Sequence, residues 1–356
     1  MSAVSGIDPR QLSGRGVWFY PDGLSSDQTV EFAQRIESMG YTALWLPDAS
    51  GRDVFALAAR LLDHTERLVI ASGVANIYAR DPLAMKSAQL TLAEQSGGRF
   101  LLGIGISHRL LVEDVRGHSY GKPLSAMRQY LEGMAAAQYV GPAPAEEPPT
   151  VLAALGPKML ELARDAADGA HPYMVTPEHT RRAREILGPD KLLCTEQKVL
   201  LEPDHEKAME IARSAAAISM GLTLPNYQNN LLRLGFTPDD FEGGVSDRVV
   251  EAVVAMGEAS DAPSLVSIDS AHIDGCLLHG KSGVTFAEKL VSLDARVRVP
   301  TTLNVGAMDL RQQKNVLLDQ TRSDLAVRLM NAYVAMGCMP TWTCAPYQAG
   351  FRPRPG

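Results

Sequence analysis

The chain alternates between short continuous apolar runs and longer segments whose apolar residues recur at helical spacing. RGVWFY (15–20), ALWLPD (43–48), LVIASGVANIY (68–78) and RFLLGIGI (99–106) have the unbroken apolar pattern of strands buried on both faces. In 26–39, Val30, Ala33, Ile36 and Met39 fall at three-residue steps. Ser25, Ser26 and Asp27 supply capping chemistry there, and Gly40 stops the helix. DVFALAARLLDHT, DPLAMKSAQLTLAEQSGG (with Pro82 in its first turn) and PLSAMRQYLEGM read as the next helices. TVLAALG (150–156), GAHPYMV (169–175) and LLCTEQKVLL (192–201) continue as strands five to seven. Helices begin near Lys158, Thr176 and Pro203, and the last runs past Ile218. GPAPAEEPPT (141–150) has the composition of a linker, but the same rhythm resumes after it, so it reads as a surface connection.

Alternating strands and helices predict a parallel sheet. Seven such units in about 250 residues predict an α/β fold of the (β/α)8 TIM-barrel type rather than an open doubly wound sheet. An eighth unit should follow the helix SDRVVEAVVAMG (246–257), and there the pattern breaks. Three of the four cysteines come after that point. The expected division is 1–257, a barrel lacking its own eighth unit, and 258–356, a small α/β fragment. Within the fragment, SLVSI (264–268) and ARVRVPTTLN (295–304) read as strands, and GVTFAEKLVSL (283–293) and SDLAVRLMNAYVAMG (323–337) as helices. Exposed parallel strand edges are costly in water, so this fragment is expected to dock on the open barrel edge.

The formal charge of −7 argues against nucleic acid as a partner, because that needs a basic face. No stretch approaches the ~18 apolar residues of a membrane span. The N-terminal MSAVSGIDPRQL lacks the apolar core of a signal peptide, and four scattered cysteines make no disulfide framework. The expected location is the cytoplasm. The expected partners are a small organic substrate and, at most, a second copy of the chain as a homodimer.

GVWFY, GYTALWLPD, ASGVANIYARDPLAMKSAQLTLAEQSGGRFLLGIGISH, GHSYGKPLSAMRQYL and LAALGPKMLELARDAADGAHPYMVTPEHT occur in that order over 15–257. In these motifs the chain resembles the bacterial-luciferase-like monooxygenases, and most of all their coenzyme F420-dependent oxidoreductases. The resemblance implies a barrel that binds F420, or alternatively FMN, at the C-terminal ends of its strands and transfers a hydride to or from a substrate. Gly103 and Gly105 in GIGISH would let backbone approach a flat ring or a phosphate, and Ser107 offers a hydroxyl. His108 is either an acid–base group of the site or a hydrogen-bonded loop histidine, and the resemblance favours the site. Gly156 and Lys158 stand at a strand-to-helix turn that suits a phosphate, although a plain helix start fits too. Lys158, Arg80 and Arg109 are the cations an anionic cofactor would need, and Thr176 is counted with the same site. Gly73 is where the resemblance implies a bulge or cis peptide against the cofactor ring, and close packing is its other reading. Asp48 would orient ring or substrate, or cap the next helix.

SAHIDGCLLHGKSGVTFAEKL, VPTTLNVGAMDL and LMNAYVAMGCMPTWTCAPYQAG, in order over 268–351, resemble the start of the aconitase-X family of iron-dependent dehydratases. That resemblance implies a hydroxy-acid lyase as the alternative function, alongside a fusion without catalytic activity. His272 with Asp274 would position a hydroxy acid, and Thr301, Thr302 and Asn304 a carboxylate or phosphate. Cys344 is an iron ligand only under this reading. Cys276, Cys338 and Cys344 lack the close spacing of a local cluster, which argues against an iron–sulfur centre.

Overall fold

The computed structural model describes residues 16–38, 40–49, 51–201, 204–215, 218, 221–257, 275–280 and 303–307, the last two stretches as backbone. Eight strands wind through these residues as a parallel barrel: β1 (Gly16–Trp18), β2 (Ala43–Leu46), β3 (Val69–Ser72), β5 (Phe100–Gly105), β6 (Thr150–Leu152), β7 (Gly169–Ala170), β8 (Leu192–Leu201) and β10 (Gly275–Gly280). The two-residue β4 (Ala75–Asn76) pairs with the end of β5. Register fixes which side chains meet. Trp18 lies beside Trp45, Trp45 beside Ala71, and Ala71 beside Leu101. These four, with Val151 and Cys194, form a core inside the barrel. The alternate residues, such as Leu44, Ile70, Leu102 and Leu193, pack outward against the helices.

The helices are α1 (Ser26–Ser38), α2 (Val54–Asp63), α3 (Pro82–Gln95), α4 (Pro123–Ala136), α5 (Pro157–Ala166), α6 (Pro177–Leu187), α7 (His205–Ser214), α8 (Pro225–Arg233) and α9 (Asp247–Val253). Most start at caps written in the sequence: Asp53, Asp81, Thr176, Asp204 and Ser246 each accept a first-turn N–H. No described helix is long and apolar enough to cross a membrane.

The predicted barrel is present, with several differences in its elements. The third run breaks into β3 and β4 around Gly73, where the Gly73–Val74 peptide is cis. The strand at 169–175 ends after Ala170, and the rest becomes a rim loop. The helix expected to run past Ile218 stops at Ser214, because Ala215 is extended. The helix expected over 246–257 ends at Val253, and β9 (Val254–Gly257) pairs with the outer half of β8, from Lys198–Val254 to Leu201–Gly257. A β-branched run such as Val249, Val250, Val253, Val254 fits a strand as readily as a helix.

The eighth position is filled from the C-terminal segment, though not by SLVSI, which lies outside the described residues. The closing strand is β10, whose Gly275 pairs with Cys194 of β8 and whose Leu277 and Leu278 pair with Gly16 and Val17 of β1. β11 (Leu303–Ala307) pairs with β10 from Cys276–Leu303 to Gly280–Ala307, so it begins only at the end of the stretch expected as a strand. The two helices expected at 283–293 and 323–337 lie outside the described residues. So do His272, Asp274, Thr301, Thr302, Cys338 and Cys344.

Candidate functional site

The C-terminal mouth of the barrel is lined with aromatic side chains. Trp18 donates its indole N–H to the Gly73 carbonyl at 2.9 Å. A Cβ on Gly73 would stand 2.9 Å from that indole nitrogen and 3.4 Å from Nε2 of His171, so only glycine fits between them. The Trp45 ring stacks on His171 with centroids 4.5 Å apart. His171 donates from Nδ1 to the Cys194 carbonyl at 2.7 Å, which fixes its tautomer. Nε1 of Trp45 is a buried donor with no hydrogen-bond partner among the described residues. Tyr173, in the rim loop after β7, tilts against Trp18 at 5.4 Å and against Tyr227 of α8 at 6.2 Å. Tyr227 in turn lies 5.8 Å from the His108 ring. A continuous aromatic path therefore joins β1, the rim loop, α8 and the end of β5.

An ion pair lies beneath Tyr173. Nζ of Lys198 is 2.7 Å from Oε1 of Glu196, and the two side chains are only 3% and 0% exposed. The other carboxylate oxygen accepts the Met174 N–H at 2.7 Å. The ammonium sits 4.2 Å from the Tyr173 ring centroid. Burial pulls the Lys198 pKa below its ordinary value, and Glu196 opposes that shift.

His108 is partly buried at this mouth. Burial lowers its pKa, against the opposing effect of its hydrogen bond with Asn226, so the ring is neutral at pH 7. Ser107 has φ +57°, the left-handed region, and its carbonyl accepts the Tyr120 hydroxyl at 3.3 Å. Gly103 and Gly105 serve packing. A Cβ on Gly103 would fall 2.2 Å from the Ser72 carbonyl oxygen, and one on Gly105 would fall 2.6 Å from Val74. Their lack of side chains lets the segment after β3 press onto β5, rather than opening space for a ligand.

Asp48 does not cap the next helix, which Asp53 does. It ties the β2 rim to β4 by accepting the Asn76 N–H at 3.1 Å and pairing with Arg80 at 2.7 Å. Arg80 also bonds Asp53 and lies over the Phe55 ring, so its charge is already balanced by two carboxylates. Arg109 pairs with Glu113 at 2.8 Å on the surface. Both arginines thus have carboxylate partners among the described residues. Thr176 is the N-cap of α6, its hydroxyl accepting from the His179 N–H.

Gly156 is the N-cap of α5 and has no side-chain cap, which leaves the helix end open to an anion. Lys158 is exposed in its first turn, with no carboxylate partner among the described residues. The Arg233 guanidinium arrives from α8, its nitrogens 3.6 Å from where a Gly156 Cβ would lie. This end of the mouth is basic, and the aromatic end is not.

The family model for luciferase-like monooxygenases matches residues 10–218, more than half of the chain. The chain belongs to the luciferase-like monooxygenase family. A 5,10-methylenetetrahydromethanopterin reductase of Archaeoglobus fulgidus is 26% identical over 288 residues, covering 70% of this chain and 86% of the reductase. The solved coenzyme F420-dependent tetrahydromethanopterin reductase from Methanopyrus kandleri superposes with a TM-score of 0.63 at 17% identity, covering 80% of this chain and 97% of that one. A second model, the aconitase X first domain, matches residues 237–356. There a cis-3-hydroxy-L-proline dehydratase of Pseudomonas aeruginosa is 40% identical over 105 residues, 30% of this chain. The chain spans less than a fifth of the length of the hydroxyproline dehydratases it matches.

The mouth of the barrel also brings together candidate residues that the sequence reading did not single out: Trp18, Trp45, His171, Tyr173, Glu196, Lys198, Tyr227 and Arg233. One signal was available. Glu196 and Lys198 stand two apart in a strand with apolar residues at both ends, so both charges share one face. Nothing in the sequence brings α8 to the mouth.

Proposed function

We propose that the chain is an F420-dependent oxidoreductase, with FMN as the alternative cofactor, acting on a small organic substrate. The observation that carries this reading is the aromatic cradle around Gly73 at the C-terminal mouth of a luciferase-like barrel. Its residues fit a flat ring. Trp18 and Tyr173 offer ring faces and edges at the rim, and Trp45, stacked on His171, backs them from the barrel core. The open end of α5, with Lys158 and Arg233, fits the cofactor's phosphate. When bound, F420 would supply hydride chemistry to the site.

The remaining tasks fall to the chain itself. The aromatic walls exclude water and fix the ring plane, and the basic end anchors the tail. His108, neutral near pH 7, takes a proton from the substrate or returns one. In this reading residues 1–257 carry the site of the oxidoreductase unit, and 258–356 supply β10, the strand that closes its barrel. Dehydratase chemistry is the alternative, resting on the match of residues 237–356 to the aconitase X first domain. Titration of the purified chain with F420 and with FMN, followed by fluorescence, tests the proposal. Saturable binding of F420 in preference to FMN is expected. Binding of FMN alone would move the reading to a flavin enzyme, and binding of neither would remove it.

A further inference from the structure

Taking two charges out of water costs several kcal/mol per ion, and replacing a buried pair by apolar residues of similar volume is often neutral or stabilising. Stability alone therefore gives Glu196 and Lys198 little reason to occupy β8. What they touch gives a better one. Glu196 accepts the backbone N–H of Met174, whose φ of +56° lies in the left-handed region that residues other than glycine seldom adopt. Its own N–H donates to the Pro172 carbonyl at 2.9 Å. Lys198 lies under the ring of Tyr173. The pair thus grips the rim loop through three successive residues, and Tyr173 is the middle one.

Tyr173 links the two sides of the mouth, touching Trp18 on one side and Tyr227 beside His108 on the other. We infer that Glu196 and Lys198 are positioning residues that hold Tyr173 against Trp18 and so set one wall of the ring pocket. Glu196 holds the backbone turn, and Lys198, anchored by Glu196, holds the ring. The inference about Tyr173 stands on geometry alone; only its effect on cofactor affinity rests on the F420 reading above.

The test is the double variant Glu196→Gln/Lys198→Met, which keeps side-chain volume and an acceptor for Met174 but leaves no unpaired charge. The readout is the near-ultraviolet circular dichroism of Trp18 without ligand, assigned by difference from Trp18→Phe. The double variant should unfold cooperatively near the wild-type temperature, yet lose at least half of the Trp18 band, as Tyr173→Ala should. Lys198→Arg should keep it. A band of wild-type size in the double variant would overturn the inference and leave the pair a plain structural bond. If the double variant does not fold, the band is read in Glu196→Asp, whose shorter carboxylate keeps both charges but withdraws from Met174. Loss there supports the inference, and retention overturns it. With F420, the double variant's dissociation constant should rise about fivefold, the value of one aromatic contact. A wild-type chain that binds no F420 would sink the proposed function while leaving the Trp18 readout decisive for this inference.

Discussion

Residues 16–218 and 237–356 stand in opposite relations to the proteins they resemble. The first supplies seven of the barrel's eight strands and lies in the part matched by the luciferase-like family model. The second matches a short piece of a dehydratase several times longer. The structure shows what each has kept. Four helix caps in the first stretch, at Asp53, Asp81, Thr176 and Asp204, are supplied by the sequence immediately before each helix. The described parts of the second stretch are tied to the first. Val249, Val250 and Val253 are fully buried in one core with Ala208 and Met209 of α7, and Arg213 of α7 pairs with Asp247 of α9. Further on, β10 pairs with both β1 and β8. A barrel needs eight strands to lose its edges, whatever their origin, whereas a catalytic site needs particular side chains from a whole fold.

The largest expected effect follows from that contrast. A chain ending at Gly257 keeps the mouth residues but loses β10, and with it the pairing on two exposed parallel edges. It should lose on the order of 5 kcal/mol, much of a domain's whole stability, and become prone to association. Calorimetry against the full chain measures it. An unchanged unfolding temperature would mean that the two stretches are independent.

A second substitution pair separates packing from site within the barrel. Gly103→Ala places a Cβ against the Ser72 carbonyl and should cost about 3 kcal/mol. Gly156→Ala meets Arg233 only at ordinary contact distance and should cost under about 1 kcal/mol. Urea denaturation ranks them. The reverse order would exchange their roles.

How much of this was legible in the sequence depends on where the information resides. LLCTEQKVLL spans β8 residue for residue, and the helix from Ser26 is present through Ser38, because strand burial and helical spacing are local patterns. β10 was not legible. GCLLHG is a short apolar run between glycines, and SLVSI looks equally strand-like; only the vacancy between β1 and β8 selects one of them. The mouth was half legible. His108 and Gly73 stand in motifs, but the partners that give them a setting come from β1, the rim loop after β7 and α8. Arg80 shows what a motif does not reveal: its charge is paired with Asp48 and Asp53, which come from other elements.

A pH series probes the same mouth. Burial depresses both His108 and His179 below the ordinary histidine value of 6.5. The unfolded chain therefore takes up protons that the folded chain refuses. Stability should be level above about pH 6.5 and fall as the pH drops below it. Urea midpoints between pH 8 and 5 check this, and His179→Gln should flatten the curve. A midpoint that rises on acidification would contradict the burial of both rings.

The smallest effect is expected at the basic end. Lys158→Ala should weaken cofactor binding a fewfold at low salt and less at high salt, since an exposed contact is screened over about 8 Å at physiological ionic strength. A dissociation constant unchanged at low salt would remove Lys158 from the site.

The most direct test of the central claim, that the second stretch completes the barrel of the first, is a single cross-link. Gly275 of β10 is the register partner of Cys194, a buried native thiol of β8. Paired positions on neighbouring strands lie within the 4.4–6.8 Å Cα range that a disulfide spans. Gly275→Cys, oxidised in the folded state and mapped by mass spectrometry, should give one dominant 194–275 disulfide and a protein that unfolds at higher temperature. Cys194 left as a free thiol, or joined instead to another of the chain's cysteines, would contradict the account.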